Sequence, residues 1–103
     1  GVEAKLVLDG APAGIDPVLV RCISRGRAWF EEVKSGTPMQ VLAARENISQ
    51  RRVAHLIDLA FLAPDIVQAI TDGRQPAALT ADRLIRADSR SLWIDQRAWL
   101  AGL

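Results

Sequence analysis

The stretch Pro38–Leu56, PMQVLAARENISQRRVAHL, decides how this chain reads. Leu42 and Ala43 stand one helical turn before Asn47, Ile48 follows, and Val53 and Leu56 lie three apart beyond it. Apolar positions on both sides of a short polar break describe two helices packed across a tight turn. Asn tolerates the left-handed backbone such a turn requires, and Ser49 is placed to cap the helix that follows. That helix turns Val53, Leu56 and Ile57 inward, leaving Ser49, Gln50, Arg51, Ala54 and His55 facing out. The pattern is that of a helix-turn-helix, whose second helix enters the major groove of DNA.

The outward residues suit that task. Gln50 can pair with adenine, Arg51 with guanine, and Ala54 can meet a thymine methyl. Arg45 and Arg52 are placed for phosphates, helped by the N–H groups of the helix N-terminus. His55 can contact a base or a phosphate. Asp58, one turn beyond Ala54, works against the reading because a carboxylate repels phosphates, unless it selects a cytosine amino group or orients Arg51.

Working outward, Asp16 and Pro17 open a first helix with Leu19, Val20, Ile23, Phe30 and Val33 on its apolar side, ending near Ser35-Gly36. Gly26 reads as a weak point in its interior. The other side carries Arg21, Arg25 and Arg27, then Glu31 and Glu32. Cations in the N-terminal half oppose the helix dipole, which fits either phosphate contact or a solvated charged face. Thr37-Pro38-Met39-Gln40 reads as a capping box. Beyond the central motif, Pro64 starts a fourth helix with Ile66, Val67 and Ile70, stopping at Asp72-Gly73. Thr80 caps a short fifth helix bearing Leu84 and Ile85. After a polar break at 88–91, Leu92-Trp93-Ile94 precede a last helix with Trp99 and Leu100. Upstream, Lys5–Leu8 is a short extended candidate. The expectation is an all-α fold of five to six short helices containing a helix-turn-helix, with a short extended N-terminal segment. Residues 1–15 are expected to form an N-terminal linker or extended segment and 16–103 the helical helix-turn-helix domain.

Composition narrows the function. Apolar residues make up 50% and charged residues 24%, which is the make-up of a folded domain and not of a disordered tail. A net charge of +1 does not advertise nucleic-acid binding and weakens the case for a wholly electrostatic binder. Eleven of the 13 basic residues are Arg, however, the side chain suited to bidentate contacts with phosphates and guanine edges. Cys22 has no internal disulfide partner, and its apolar neighbours place it in the core. Trp29, Phe30, Trp93 and Trp99 read as core or subunit-interface residues. No apolar run approaches the roughly 18 residues of a membrane span, and a cytoplasmic, nucleoid-associated location is expected. His55 is the sole histidine, and no CxxC, phosphate-binding GxxxxGK[ST] loop or Ser–base pairing is recognisable. Neither an enzyme nor a cofactor or metal site is expected.

Residues 43–85, AARENISQRRVAHLIDLAFLAPDIVQAITDGRQPAALTADRLI, resemble the helix-turn-helix region of ParB/KorB-type proteins. There is a closer resemblance to the C-terminal DNA-binding module of bacterial serine-recombinase-related proteins. That likeness is carried by Arg27–Gly36, Ala44–Leu84, within which LAFLAPDIV is the most specific stretch, and Leu92–Leu103. The chain departs from the pattern with Asn47 where Gly is usual, and with Ala101-Gly102-Leu103 in place of a terminal Leu-Gly-Phe. The resemblance implies that Ser49, Gln50, Arg51, Arg52, Ala54 and His55 read operator-like DNA. Nothing in the sequence matches the Arg-rich nucleotide-clamp domain of ParB proteins or the nucleophilic-Ser domain of recombinases. The implied role is DNA targeting.

The sequence therefore points to a sequence-specific double-stranded DNA-binding domain serving recombination, partition or transcriptional control. Arg45, Arg52, Arg21, Arg25 and Arg27 would hold the backbone. Affinity would come from a homodimer or from an upstream domain of a longer protein. The alternative is a protein-interaction or dimerisation module that docks a partner through the Trp-bearing C-terminal part.

Overall fold

The computed structural model describes residues 14–87 and 92–103. They form six α-helices: α1 Pro17–Lys34, α2 Met39–Glu46, α3 Gln50–Asp58, α4 Pro64–Thr71, α5 Ala81–Arg86 and α6 Trp93–Ala101. A single 3-10 turn, Leu59–Phe61, extends α3, and the described residues contain no strand. The all-α fold of five to six helices is thus the observed one. Lys5–Leu8 and the break at 88–91 lie outside the described residues.

Local chemistry sets the helix ends. The Asp16 carboxylate accepts from the N–H groups of Val18 and Leu19 ahead of Pro17, Ser49 Oγ accepts from Arg52 N–H, and Thr80 Oγ1 accepts from Arg83 N–H. Each satisfies a donor that the first helical turn would otherwise leave unpaired. Asn47 is the left-handed residue that closes α2, at φ 57° and ψ 46°. Its N–H donates to Ala44 O and the next, on Ile48, to Ala43 O, the paired bonds of a Schellman ending.

The same motif overturns the expected capping box at Thr37. Gly36 lies at φ 108°, and Thr37 N–H donates back to Glu32 O, so Thr37 completes the end of α1. Pro38 is the N-cap of α2, without a side-chain cap bond.

The core gathers Leu19 and Ile23 of α1, Leu42 of α2, Val53 and Leu56 of α3, Leu59, Ile66 and Ile70 around α4, and Leu84 and Ile85 of α5. Gly26 is its pivot. A Cβ added there would meet the Leu56 carbonyl oxygen at 2.0 Å, so α1 and α3 cross backbone against backbone. The residue that reads as a weak point of α1 is what admits α3 so closely. Trp29 packs in the core at 4% exposure, and Phe30 meets Phe61 edge-on with centroids 5.3 Å apart.

α6 is attached differently. Gln96, 5% exposed, accepts from Ala63 N–H at 2.9 Å and donates to Phe61 O at 3.1 Å. Trp93 Nε1 also donates to Phe61 O, and Arg97 forks onto Asp65 at 2.7 and 2.8 Å. Trp93 is a helical residue, and with Trp99 it stays out of the core, at 49% and 38% exposure. Leu92 and Ile94 are more exposed still.

Candidate nucleic-acid interface

The packing of α3 fixes which of its residues meet solvent. Val53, Leu56 and Ile57 are buried, while Ser49, Gln50, Arg51 and Arg52 are exposed and Ala54, His55 and Asp58 half-buried. The outward face expected from spacing is therefore the exposed one, with Ala54 and His55 at its margin. Three residues, Asn47, Ile48 and Ser49, separate α2 from α3.

The expected arginines fall into separate groups. Arg21 and Arg25 are four residues apart on α1 and share a side. Together with Arg52 of α3 they line a cleft of about 220 Å³ between the two helices, shared with Val18, Cys22, Trp29, Glu46, Ile48 and Leu56. Arg27 is absent from this group, because two residues of helix turn it about 200° away from Arg25. Arg51 stays on the outer face of α3.

Arg45 is engaged within the domain. Its guanidinium forks onto Glu32 of α1 at 3.1 and 2.9 Å and reaches Glu46 at 3.4 Å. The hydrogen bond from Arg45 holds the Glu32 carboxyl below its ordinary range. Among the described residues, ion pairs hold Arg45, Arg74, Arg86 and Arg97, and none holds Arg21, Arg25, Arg27, Arg51 or Arg52.

Cys22 departs from its expected core position. It is only partly buried and forms part of the cleft wall. Burial pushes its thiol up, and the nearby guanidiniums of Arg52, Arg25 and Arg21 pull in the opposite direction without prevailing. The thiol is thus kept protonated and weakly nucleophilic. Sequence reading missed that Cys22, Glu46 and Ile48 share a cleft with the arginines. Cys22 precedes Gly26 by one turn and Arg52 precedes Leu56 by one turn, but the Gly26–Leu56 approach that aligns the two registers is a contact across helices.

Among the described residues no three His, Cys, Asp or Glu side chains converge as a metal site, and no single helix is long and apolar enough to cross a membrane. Comparison with protein-family models, curated proteins and solved structures finds no match.

Proposed function

We propose that this chain is a sequence-specific double-stranded DNA-binding domain, with α3 as the helix that enters the major groove. The observation that carries this reading is the exposed N-terminal face of α3. Gln50, Arg51 and Arg52 stand clear of the core, Ser49 caps the helix, and the left-handed Asn47 sets the turn before it. In this reading Gln50, Arg51 and His55 contact base edges and Ala54 meets a thymine methyl. Arg52, Arg21 and Arg25 lie to one side as cations without an internal partner, suited to backbone phosphates. Arg45, tied to Glu32, serves the scaffold first. The resemblance to ParB/KorB-type and recombinase-related modules supports service in partition, recombination or transcriptional control. The near-neutral charge fits a domain whose affinity is raised by dimerisation or tethering.

Selection from a random duplex library at two salt concentrations tests the reading. The wild-type chain is expected to enrich one motif. Arg51→Ala should relax that motif and cost about 1–3 kcal/mol on the preferred site. Arg52→Ala should weaken all duplexes alike and lower the salt slope. Enrichment that survives Arg51→Ala unchanged would remove α3 from base readout.

The exposed Leu92, Trp93 and Ile94 at the start of α6, at 71%, 49% and 69%, favour a second reading, a protein-interaction or dimerisation module. That module would assemble without DNA and show salt-insensitive background retention in the same selection.

A further inference from the structure

We infer that the cleft between α1 and α3 is a seat for one phosphate group, gripped by Arg21, Arg25 and Arg52. Resting on the DNA-binding reading, the group is a single backbone phosphate flanking the groove that α3 enters. The shared chemistry is a phosphate oxyanion, which a duplex backbone or free phosphate can supply.

The argument starts at the crossing of the helices. Gly26 lets α1 lie against the Leu56 carbonyl. One turn earlier on each helix, the side chains of Cys22 and Arg52 meet in the same cleft. Arg21 and Arg25 flank Cys22 and reach the cleft from one side of α1, while Arg52 reaches it from α3. Like charges four residues apart on one helix destabilise it. The first turn of α1 carries no acidic residue to offset the pair. Arg21, Arg25 and Arg52 thus border one cleft without an ion-pair partner, a cluster that an anion would complete.

The cleft suits a phosphate in shape and polarity. Its volume of about 220 Å³ equals roughly seven waters at about 30 Å³ each, room for a phosphate group and a few of its waters. Guanidinium forks match phosphate oxygens in a way ammonium groups do not. Val18, Trp29, Ile48 and Leu56 add apolar surface to the cleft walls, against which the alkyl stems of the arginines can lie. Two acids oppose the arginines. Glu46 lines the cleft but is engaged by Arg45 Nε. Asp16, whose charge acts on Cys22 in the opposite sense, is engaged by the N–H groups that start α1. The field of the three arginines is felt at the Cys22 thiol, where all three act in the same direction. Because burial keeps the thiol protonated, no thiolate competes for the seat.

Two arms test the seat. In the first, the duplex enriched by selection is scanned with single methylphosphonate substitutions, each neutralising one backbone phosphate. One position per bound domain should weaken wild-type binding by roughly tenfold, the loss expected for a charge-assisted hydrogen-bonded contact. The R21Q/R25Q/R52Q variant should be indifferent at that position, Arg51→Ala should remain sensitive there, and Glu46→Gln should bind more tightly. Helical circular dichroism checks that the variants fold.

In the second arm, inorganic phosphate at matched ionic strength is expected to slow alkylation of Cys22 by iodoacetamide, and R21Q/R25Q to abolish that protection. Protection without any enriched duplex would keep the seat for free phosphate and overturn the DNA reading. An enriched duplex with no position coupled to the arginines, and no protection of Cys22, would overturn the seat while leaving the DNA reading intact. Protection together with an enriched duplex but no coupled position would overturn the backbone assignment.

Discussion

The α1–α3 crossing and the α6 attachment are two ways of holding a helix to the same core. At the crossing, apolar burial and a glycine-sized gap bring backbones together, with Leu19, Val53 and Leu59 fully enclosed. At α6, directional polar contacts from Gln96, Trp93 and Arg97 join the packing of half-buried Leu100, while Leu92 and Ile94 remain in solvent. Burial is non-directional and scales with area, so the crossing makes a rigid base for α3. Hydrogen bonds and exposed ion pairs contribute less each, so α6 is the helix that can be released without unfolding the rest.

The sharpest way to break this contrast is in the core. Leu59→Ala removes a fully buried side chain next to α1 and α3 and should cost about 2–5 kcal/mol, transfer and cavity terms together. Urea denaturation followed by helical circular dichroism reads it, and a near-neutral result would mean the core collapses to fill the gap. Next comes Gly26→Ala. On propensity alone alanine should stabilise α1 by about 1 kcal/mol. Because the new Cβ faces the Leu56 carbonyl oxygen at 2.0 Å, the helices must part, and a net loss of about 1–3 kcal/mol is expected. A stabilised Gly26→Ala protein would show that α1 and α3 do not approach this closely.

Gly26 also marks the boundary of what a sequence can reveal. Helix ends were legible because their chemistry is local. Asp16, Ser49 and Thr80 are caps by residue type and position, and Asn47, Gly36 and Gly73 take left-handed backbone where helices stop. The inward set of α3 was legible from its period. Thr37 misled because two motifs compete for it, and the ending of α1 takes its N–H. Gly26, Cys22 and the Glu32–Arg45 fork depend on contacts across helices, which periodicity along one helix does not encode. For the same reason the outward face of α3 could be read, whereas the division of the arginines could not. Arg27 shares a helix with Arg21 and Arg25, yet only those two share a cleft with Arg52.

On the α6 side, Gln96→Leu introduces an apolar side chain of similar bulk and leaves Ala63 N–H without the acceptor it now has. An unpaired buried donor costs about 1–3 kcal/mol. Here the protein can avoid that cost by releasing α6 and exposing the donor to water. Hydrogen exchange should therefore accelerate at α6 amides and leave α1 and α3 protected. Uniform acceleration across all helices would mean that α6 is as integral to the domain as the α1–α3 crossing.

The smallest effect belongs to the Asp65–Arg97 fork, which joins the first turn of α4 to α6 across the surface. The hydrogen bond from Arg97 holds the Asp65 carboxyl below its ordinary range, with further help from backbone N–H groups at the start of α4. A carboxyl whose pKa is depressed by folding contributes stability above the ordinary Asp range and loses it as pH falls through the lowered value. Acidification should thus loosen α6 before the core responds, seen as faster exchange at α6 amides once pH drops below the usual carboxylate range. Asp65→Asn should remove this pH dependence while scarcely changing global unfolding at neutral pH, as expected of an exposed pair. The Glu32–Arg45 fork titrates in the same direction but ties α1 to α2, so its protonation should leave α6 untouched. If Asp65→Asn preserves the acid response of α6, a carboxyl other than Asp65 governs that response, and the neutral-pH latch lies in Gln96 and Trp93. In that case the charge pair merely decorates an attachment made by hydrogen bonds to Phe61 and Ala63.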